Sequence, residues 1–126
     1  MTVDGTLSGQ TAVVVGGSSG IGFASARALL SAGAAVTIVG RSDERLTKAA
    51  GSLGSGVATA SVDCADESAA ATFFEGVQNL DHLVISLAGG AALGPFTEVP
   101  VQGVRETFDG KFWPYLIAMH HGAKRL

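Results

Sequence analysis

The residues best suited to chemistry stand near the N-terminus, in Gly16-Gly17-Ser18-Ser19-Gly20-Ile21-Gly22. An apolar run, "TAVVVG" over 11–16, leads into them and an alanine-rich segment follows, so the glycines occupy a strand-to-helix junction. A pyrophosphate at such a junction needs backbone N–H groups aimed at it and a helix N-terminus behind them. Side chains would hold the phosphate away. Gly16 is therefore read as making the turn, Gly20 as letting the backbone come close, and Gly22 as letting the helix pack on the strand. Ser18 and Ser19 can add hydroxyl donors. The plain alternative is a glycine-rich turn with no ligand, and three spaced glycines with two serines at this junction speak against it.

The elements that would position these residues follow from the apolar pattern. Strands are expected over 11–16, 34–40, 57–63 and 82–88. Ile21, Ala24, Ala28 and Leu29 share one face of the first helix, which Gly33 can end in the left-handed conformation. Ser42 is a plausible N-cap for a second helix, with Asp43 and Glu44 at the positive end of its dipole. Leu46, Ala49, Ala50 and Leu53 form its stripe, and Glu44 to Lys48 is a favourable pair. A third helix starts near Asp66 and buries Ala70, Phe73, Phe74 and Val77. The last, from about Val101 to Arg125, carries Val101, Val104 and Phe108 on one side and is expected to kink or break at Pro114. Alternating strands and helices, with continuously apolar strands, predict a parallel sheet covered on both faces. Residues 1–126 read as a single α/β domain.

Bulk properties exclude several classes. Apolar residues make up 47% and charged ones 15%, which excludes disorder by composition. A net charge of −3 offers no attraction for nucleic acid or an anionic membrane. The start, "MTVDGTLSGQ", lacks the marks of a secretory signal, and no apolar stretch is long enough for a membrane span. The lone Cys64 cannot form an internal disulfide, so a reducing, cytoplasmic location is expected. His120 and His121 are adjacent on a helix and point about 100° apart, His82 begins a strand, and no metal site follows from them.

Four motifs in order resemble the short-chain dehydrogenase/reductases. Gly16, Gly20, Ile21 and Gly22 match the family's G-x3-G-x-G, with Val15 where a Thr is usual. "VTIVGRSDERL" looks like its second strand and following helix, "SVDCAD" like its turn after strand three, and "LDHLVISLAGG" like its D-x-L-V-N-N-A-G stretch. The resemblance implies a Rossmann-like three-layer α/β sandwich whose parallel sheet has strand order 3-2-1-4 and stops after the fourth βα unit. It also implies a nicotinamide dinucleotide as cofactor and a carbonyl or alcohol substrate.

Each motif has its own physical reading. At the end of strand two, where an acid would hold the adenine ribose hydroxyls, stand Gly40, Arg41 and Ser42. No carboxylate repels a 2′-phosphate there, and a guanidinium can pair with one, which favours NADP(H) over NAD(H). The alternative is that Arg41 is a solvated charge leading a helix. By resemblance, Asp63 would bond the adenine amino group, Cys64 would lie beside the ring, and Ala88 and Gly89 would pass close to the cofactor ribose. Asp63 could instead close the strand with an Asx turn. Ser86 and Leu87 replace the two asparagines usual in the last motif, which weakens the polar network expected there. Lys111 stands at the family's helix-four asparagine, as a polar contact or as a surface lysine, and Pro114 at its glycine.

The family's general acid/base is a Tyr with a Lys four residues later. Here the only Tyr is Tyr115, followed four residues on by Met119, so no catalytic residue is assigned. The resemblance covers about the first half of a typical member. Two readings follow: the cofactor-binding half of a reductase, or a non-catalytic nucleotide-binding or interaction module. An S-adenosylmethionine methyltransferase shares the glycine turn, but it would want an acid where Gly40-Arg41 stands. The order 3-2-1-4 leaves "HLVISLA" as an edge with no charge or Pro to discourage pairing, so a homo-oligomer in which strand four or helix four covers the gap is expected.

Overall fold

Three consecutive valines, Val13 to Val15, have no exposed side, and a strand of that kind belongs in the middle of a sheet. The computed structural model, which describes residues 5–88 and 92–126, places them there. In chain order the elements are β1 (Thr11–Val15), α1 (Gly20–Ser31), β2 (Ala35–Gly40), α2 (Asp43–Leu53), β3 (Val57–Ser61), α3 (Glu67–Glu75), β4 (His82–Ile85) and α4 (Val101–Ala123). The sheet is wholly parallel, in the order β3-β2-β1-β4, as expected. Register brings Val15 level with Val39 on one side and Ile85 on the other, so three strands end together at the glycine turn.

Helices cover the two faces. Ala12, Val14, Val36 and Ile38 pack with Ala26 of α1 and with Leu46 and Ala49 of α2. Val13, Val15 and Val39 pack with Ala70 and Phe74 of α3 and Ala118 of α4. Phe74 is fully buried, and removing such a side chain from water contributes about 1.5–3 kcal/mol. Ends are fixed as the sequence suggests. The Ser42 hydroxyl accepts from Arg45 N–H at 3.3 Å, the Asp66 carboxylate accepts from Ala69 N–H at 3.2 Å, and Gly33 leaves α1 at φ +95°.

Several expectations need correction. Of the α1 face expected from Ile21, Ala24, Ala28 and Leu29, Leu29 packs against the core, while Ala24, Ala28 and the 76% exposed Ile21 look outward. Gly22 and Ala26 face inward, because Gly22 must meet the turn before it, and that contact sets the helix phase. Coverage of the sheet is complete only at its centre, since β3 leaves Ala58, Thr59 and Ser61 exposed. β4 stops at Ile85 and not at Ala88. Helix α4 continues through Pro114, whose missing N–H orphans the Gly110 carbonyl. Gly110 is exposed, so water can serve that carbonyl. Glu44 and Lys48 form no ion pair. A hydrogen bond between His121 Nε2 and Glu67 Oε1 at 3.1 Å joins α4 to the start of α3.

Candidate functional site: an open glycine turn at the sheet's C-terminal end

Gly16 leaves β1 at φ +84°, a conformation that favours glycine, and its N–H donates to the Val39 carbonyl at 2.7 Å. A Cβ at Gly16 would lie 2.1 Å from the Ser86 carbonyl oxygen, so the turn presses directly on the chain leaving β4. Gly22 is closer still to its neighbour, with a Cβ falling 2.0 Å from the Gly16 carbonyl oxygen. Helix α1 thus packs on the turn itself. Gly20 differs. It has φ +58° and no atom within 4 Å of a Cβ position, so open space lies before it.

Hydrogen-bond donors without a partner stand around that space. Ser19 precedes α1 without capping it through its side chain. The first N–H groups of a helix have no partner within it, which leaves those of Gly20, Ile21 and Gly22 available. Ile21, next in sequence to Gly20, has an exposed side chain. Gly17, which has no role in the spacing motif, is buried, and a Cβ there would lie 2.6 Å from the Ile38 side chain. Its need for glycine comes from β2, and no spacing rule could have announced it.

The β2 side of the turn carries the other expected residues. A Cβ at Gly40 would lie 3.9 Å from the Ser18 hydroxyl, so Ser18 borders the Gly40-Arg41 corner. The Arg41 carbonyl accepts from the Ser61 hydroxyl at 3.0 Å. Its guanidinium is exposed and makes no hydrogen bond or ion pair with a side chain among the described residues. Ser42 spends its acceptor on the α2 cap. Asp63 makes the Asx turn, accepting from Ala65 N–H at 3.0 Å through one oxygen and keeping the other.

Cys64 turns its side chain away from solvent. Its side chain is buried among Val39, Ala70 and Phe74, so any contact with an adenine ring would come from its backbone. Burial, with the Asp63 charge adding to it, pushes the thiol up to about 11. The β4 side holds Ser86, Leu87 and the exposed Ala88, while Gly89 lies outside the described residues. Leu87 N–H donates to the Tyr115 hydroxyl at 3.0 Å, a contact invisible in the sequence. Lys111 is exposed, with its ammonium 5.7 Å from the centre of the Tyr115 ring.

A separate cavity of about 570 Å³ lies toward the other end of the strands, lined by Thr11, Val13, Thr37, Phe73 and Asn79 among others. It brings together no titratable side chain. No helix of the described residues is long and apolar enough to cross a membrane.

A parallel β3-β2-β1-β4 sheet with an open glycine turn beyond its central strand defines a Rossmann-like dinucleotide-binding fold. The chain belongs to the short-chain dehydrogenase/reductases: the sequence profile described as "short chain dehydrogenase" matches residues 10–126. It is thus part of an oxidoreductase family whose cofactor is a nicotinamide dinucleotide. It is 35% identical over 102 residues to a short chain dehydrogenase of Pseudocercospora fijiensis (strain CIRAD86), covering 76% of this chain and 33% of that protein. A short-chain type dehydrogenase/reductase from Mycobacterium ulcerans superposes with a TM-score of 0.86 at 29% identity, covering 95% of this chain and 47% of the other. The RhlG/NADP active-site complex of Pseudomonas aeruginosa superposes at 0.83 with 26% identity, covering 100% and 51%. The chain therefore spans about half the length of these solved structures and a third of that curated relative.

Proposed function

We propose that these 126 residues are the cofactor-binding half of an NADP(H)-dependent oxidoreductase acting on a carbonyl/alcohol pair. The open cradle at Gly20 carries this reading: a positive φ, clear space in front, and unspent helix-start amides behind. The residues present fit a dinucleotide. Gly20, Ile21 and Gly22 would hold the pyrophosphate, with Ser18 and Ser19 beside it. Asp63 and the Cys64 backbone would meet the adenine, and Ala88 with Gly89 the ribose at the other end. Preference for the 2′-phosphate rests on Arg41, whose guanidinium has no competing carboxylate, with Ser18 and Ser42 adjoining. The relative from Pseudomonas aeruginosa, solved with NADP, agrees with that choice.

A dinucleotide held by these residues would supply hydride chemistry at the substrate carbon. The chain's own part is to grip the phosphates, orient the ring and keep the Arg41 charge at the 2′ position. Proton transfer to the carbonyl oxygen falls to none of these residues. Tyr115 has its hydroxyl committed to Leu87 and Met119 four places on, so the 126 residues alone should bind and not turn over. This committed hydroxyl also favours the second reading, a nucleotide-binding module without catalysis.

Association belongs to the same proposal. The edge strand β4 and the apolar side chains of α4 (Val104, Phe108, Phe112, Leu116 and Met119, each at least 42% exposed) offer a surface for a second copy. A reducing, cytoplasmic setting agrees with the buried free thiol of Cys64. Calorimetric titration with NADPH and NADH tests the reading. NADPH should bind more tightly, with Arg41→Ala removing most of the difference. Equal affinities in the unaltered protein would refute the preference.

A further inference from the structure

The sequence predicts a weakened polar network past β4, because Ser86 and Leu87 stand where asparagines are usual, and the structure shows what takes their place. Ser86 N–H makes the last bond of the ladder, to the Val15 carbonyl at 2.8 Å. Beyond it, the only hydrogen bonds to the backbone of Leu87 and Ala88 among the described residues come from Tyr115. Its hydroxyl accepts from Leu87 N–H at 3.0 Å and donates to the Leu87 carbonyl at 3.4 Å. The same helix grips a second amide with a hydroxyl, Thr107 accepting from Ala92 N–H at 3.1 Å.

We infer that Tyr115 is a positioning residue for the dinucleotide site, a tether that takes over from strand pairing where β4 ends. The inference rests on the dinucleotide reading above. The mechanical link is short. Ser86–Ala88 is fixed on one side by Tyr115 and pressed on the other by Gly16, against which the Ser86 carbonyl sits too closely for any Cβ. Releasing the tether lets the strip move off the turn, and with it the wall on the β4 side of the cradle. β4 lies across β1 from β2, so the Arg41 corner and the Tyr115 strip flank opposite ends of a bound dinucleotide. Loss of Tyr115 should therefore weaken the hold on the nicotinamide end and spare the adenosine end.

Tyr115→Phe keeps the ring and deletes the tether. Three readouts decide its role: exchange of the Leu87 amide by NMR, NADPH affinity, and affinity for 2′,5′-ADP, which carries only the adenosine end. Expected are about tenfold faster Leu87 exchange, NADPH binding about five- to tenfold weaker, and 2′,5′-ADP binding unchanged within twofold. The exposed Trp113→Phe, on the same helix, should move none of the three. Should the Phe variant fail to fold, exchange of the Leu87 amide in the unaltered protein decides: protection that rises with NADPH and stays unchanged with 2′,5′-ADP is expected, and no rise with NADPH overturns the tether's role. NADPH and 2′,5′-ADP weakened together, or NADPH unmoved while the unaltered protein binds it, overturns the tether's role alone. Unaltered protein that binds neither ligand overturns the dinucleotide reading as well.

Discussion

Gly22 approaches Gly16 so closely that a single added carbon would lie 2.0 Å from the Gly16 carbonyl oxygen. Two glycines six residues apart thus form one packing unit, which turns helix α1 so that its free amides face the opening beyond Gly20. Backbone is the obstacle here, and backbone cannot swing aside as a side-chain tip can. Gly22→Ala should therefore cost about 1–3 kcal/mol in denaturant unfolding and abolish measurable NADPH binding at millimolar ligand.

Gly20→Ala separates geometry from space. Nothing lies near its Cβ position, so the stability cost is that of a non-glycine residue at φ +58°, about 1–2 kcal/mol. The methyl group would stand where the phosphate should approach. NADPH affinity should fall by at least tenfold, well beyond the stability loss, when both are measured on the same preparation.

How much of this was legible in the sequence depends on what carried the signal. The inward face of α2 was readable because Leu46, Ala49, Ala50 and Leu53 repeat at helical spacing, and Leu46 and Ala49 are indeed buried. The face of α1 was not, because glycine has no hydropathy to report. The phase there is set by the Gly22 contact, which leaves Ile21 outside. The end of β4 was hidden for another reason: a hydroxyl 28 residues away takes the Leu87 amide that a strand would have used. The place of Cys64 in the chain was legible, but the direction of its side chain was not.

Cys64 gives a pH signature. The thiol ionises near 9.0 when unconstrained and near 11 in the folded chain, so the folded state holds its proton more tightly. Its contribution to stability is complete below pH 9 and fades as pH rises toward 11. Cys64→Val should flatten that part of the stability profile in urea titrations between pH 8 and 11. In native protein the thiol should resist a disulfide reagent at pH 8, and in denaturant it should react at once.

Gly122 of α4 faces Leu83 of β4, and a Cβ there would come within 2.5 Å of the Leu83 side chain and 3.2 Å of the Phe74 ring. The first obstacle is a flexible methyl, the second a fully buried ring. Gly122→Ala should lower stability by about 1–2 kcal/mol, with NADPH affinity unchanged within threefold.

The exposed stripe on α4 includes the stacked rings of Phe108 and Phe112, whose centres are 5.0 Å apart. Phe112→Glu should leave the circular dichroism and melting of the chain nearly unaltered. In sedimentation at micromolar concentration it should shift an associated species to monomer. A clean monomer of the unaltered protein would remove the proposed association.

Amide shift mapping with NADPH would locate the dinucleotide on the chain residue by residue. Perturbations should concentrate at residues 16–22, at Arg41 and Ser42, and at Asp63 and Cys64, with saturation at a single affinity. Shifts confined to the cavity of Thr37, Phe73 and Asn79 at the other end of the strands, or no shift at millimolar NADPH, would contradict the dinucleotide reading.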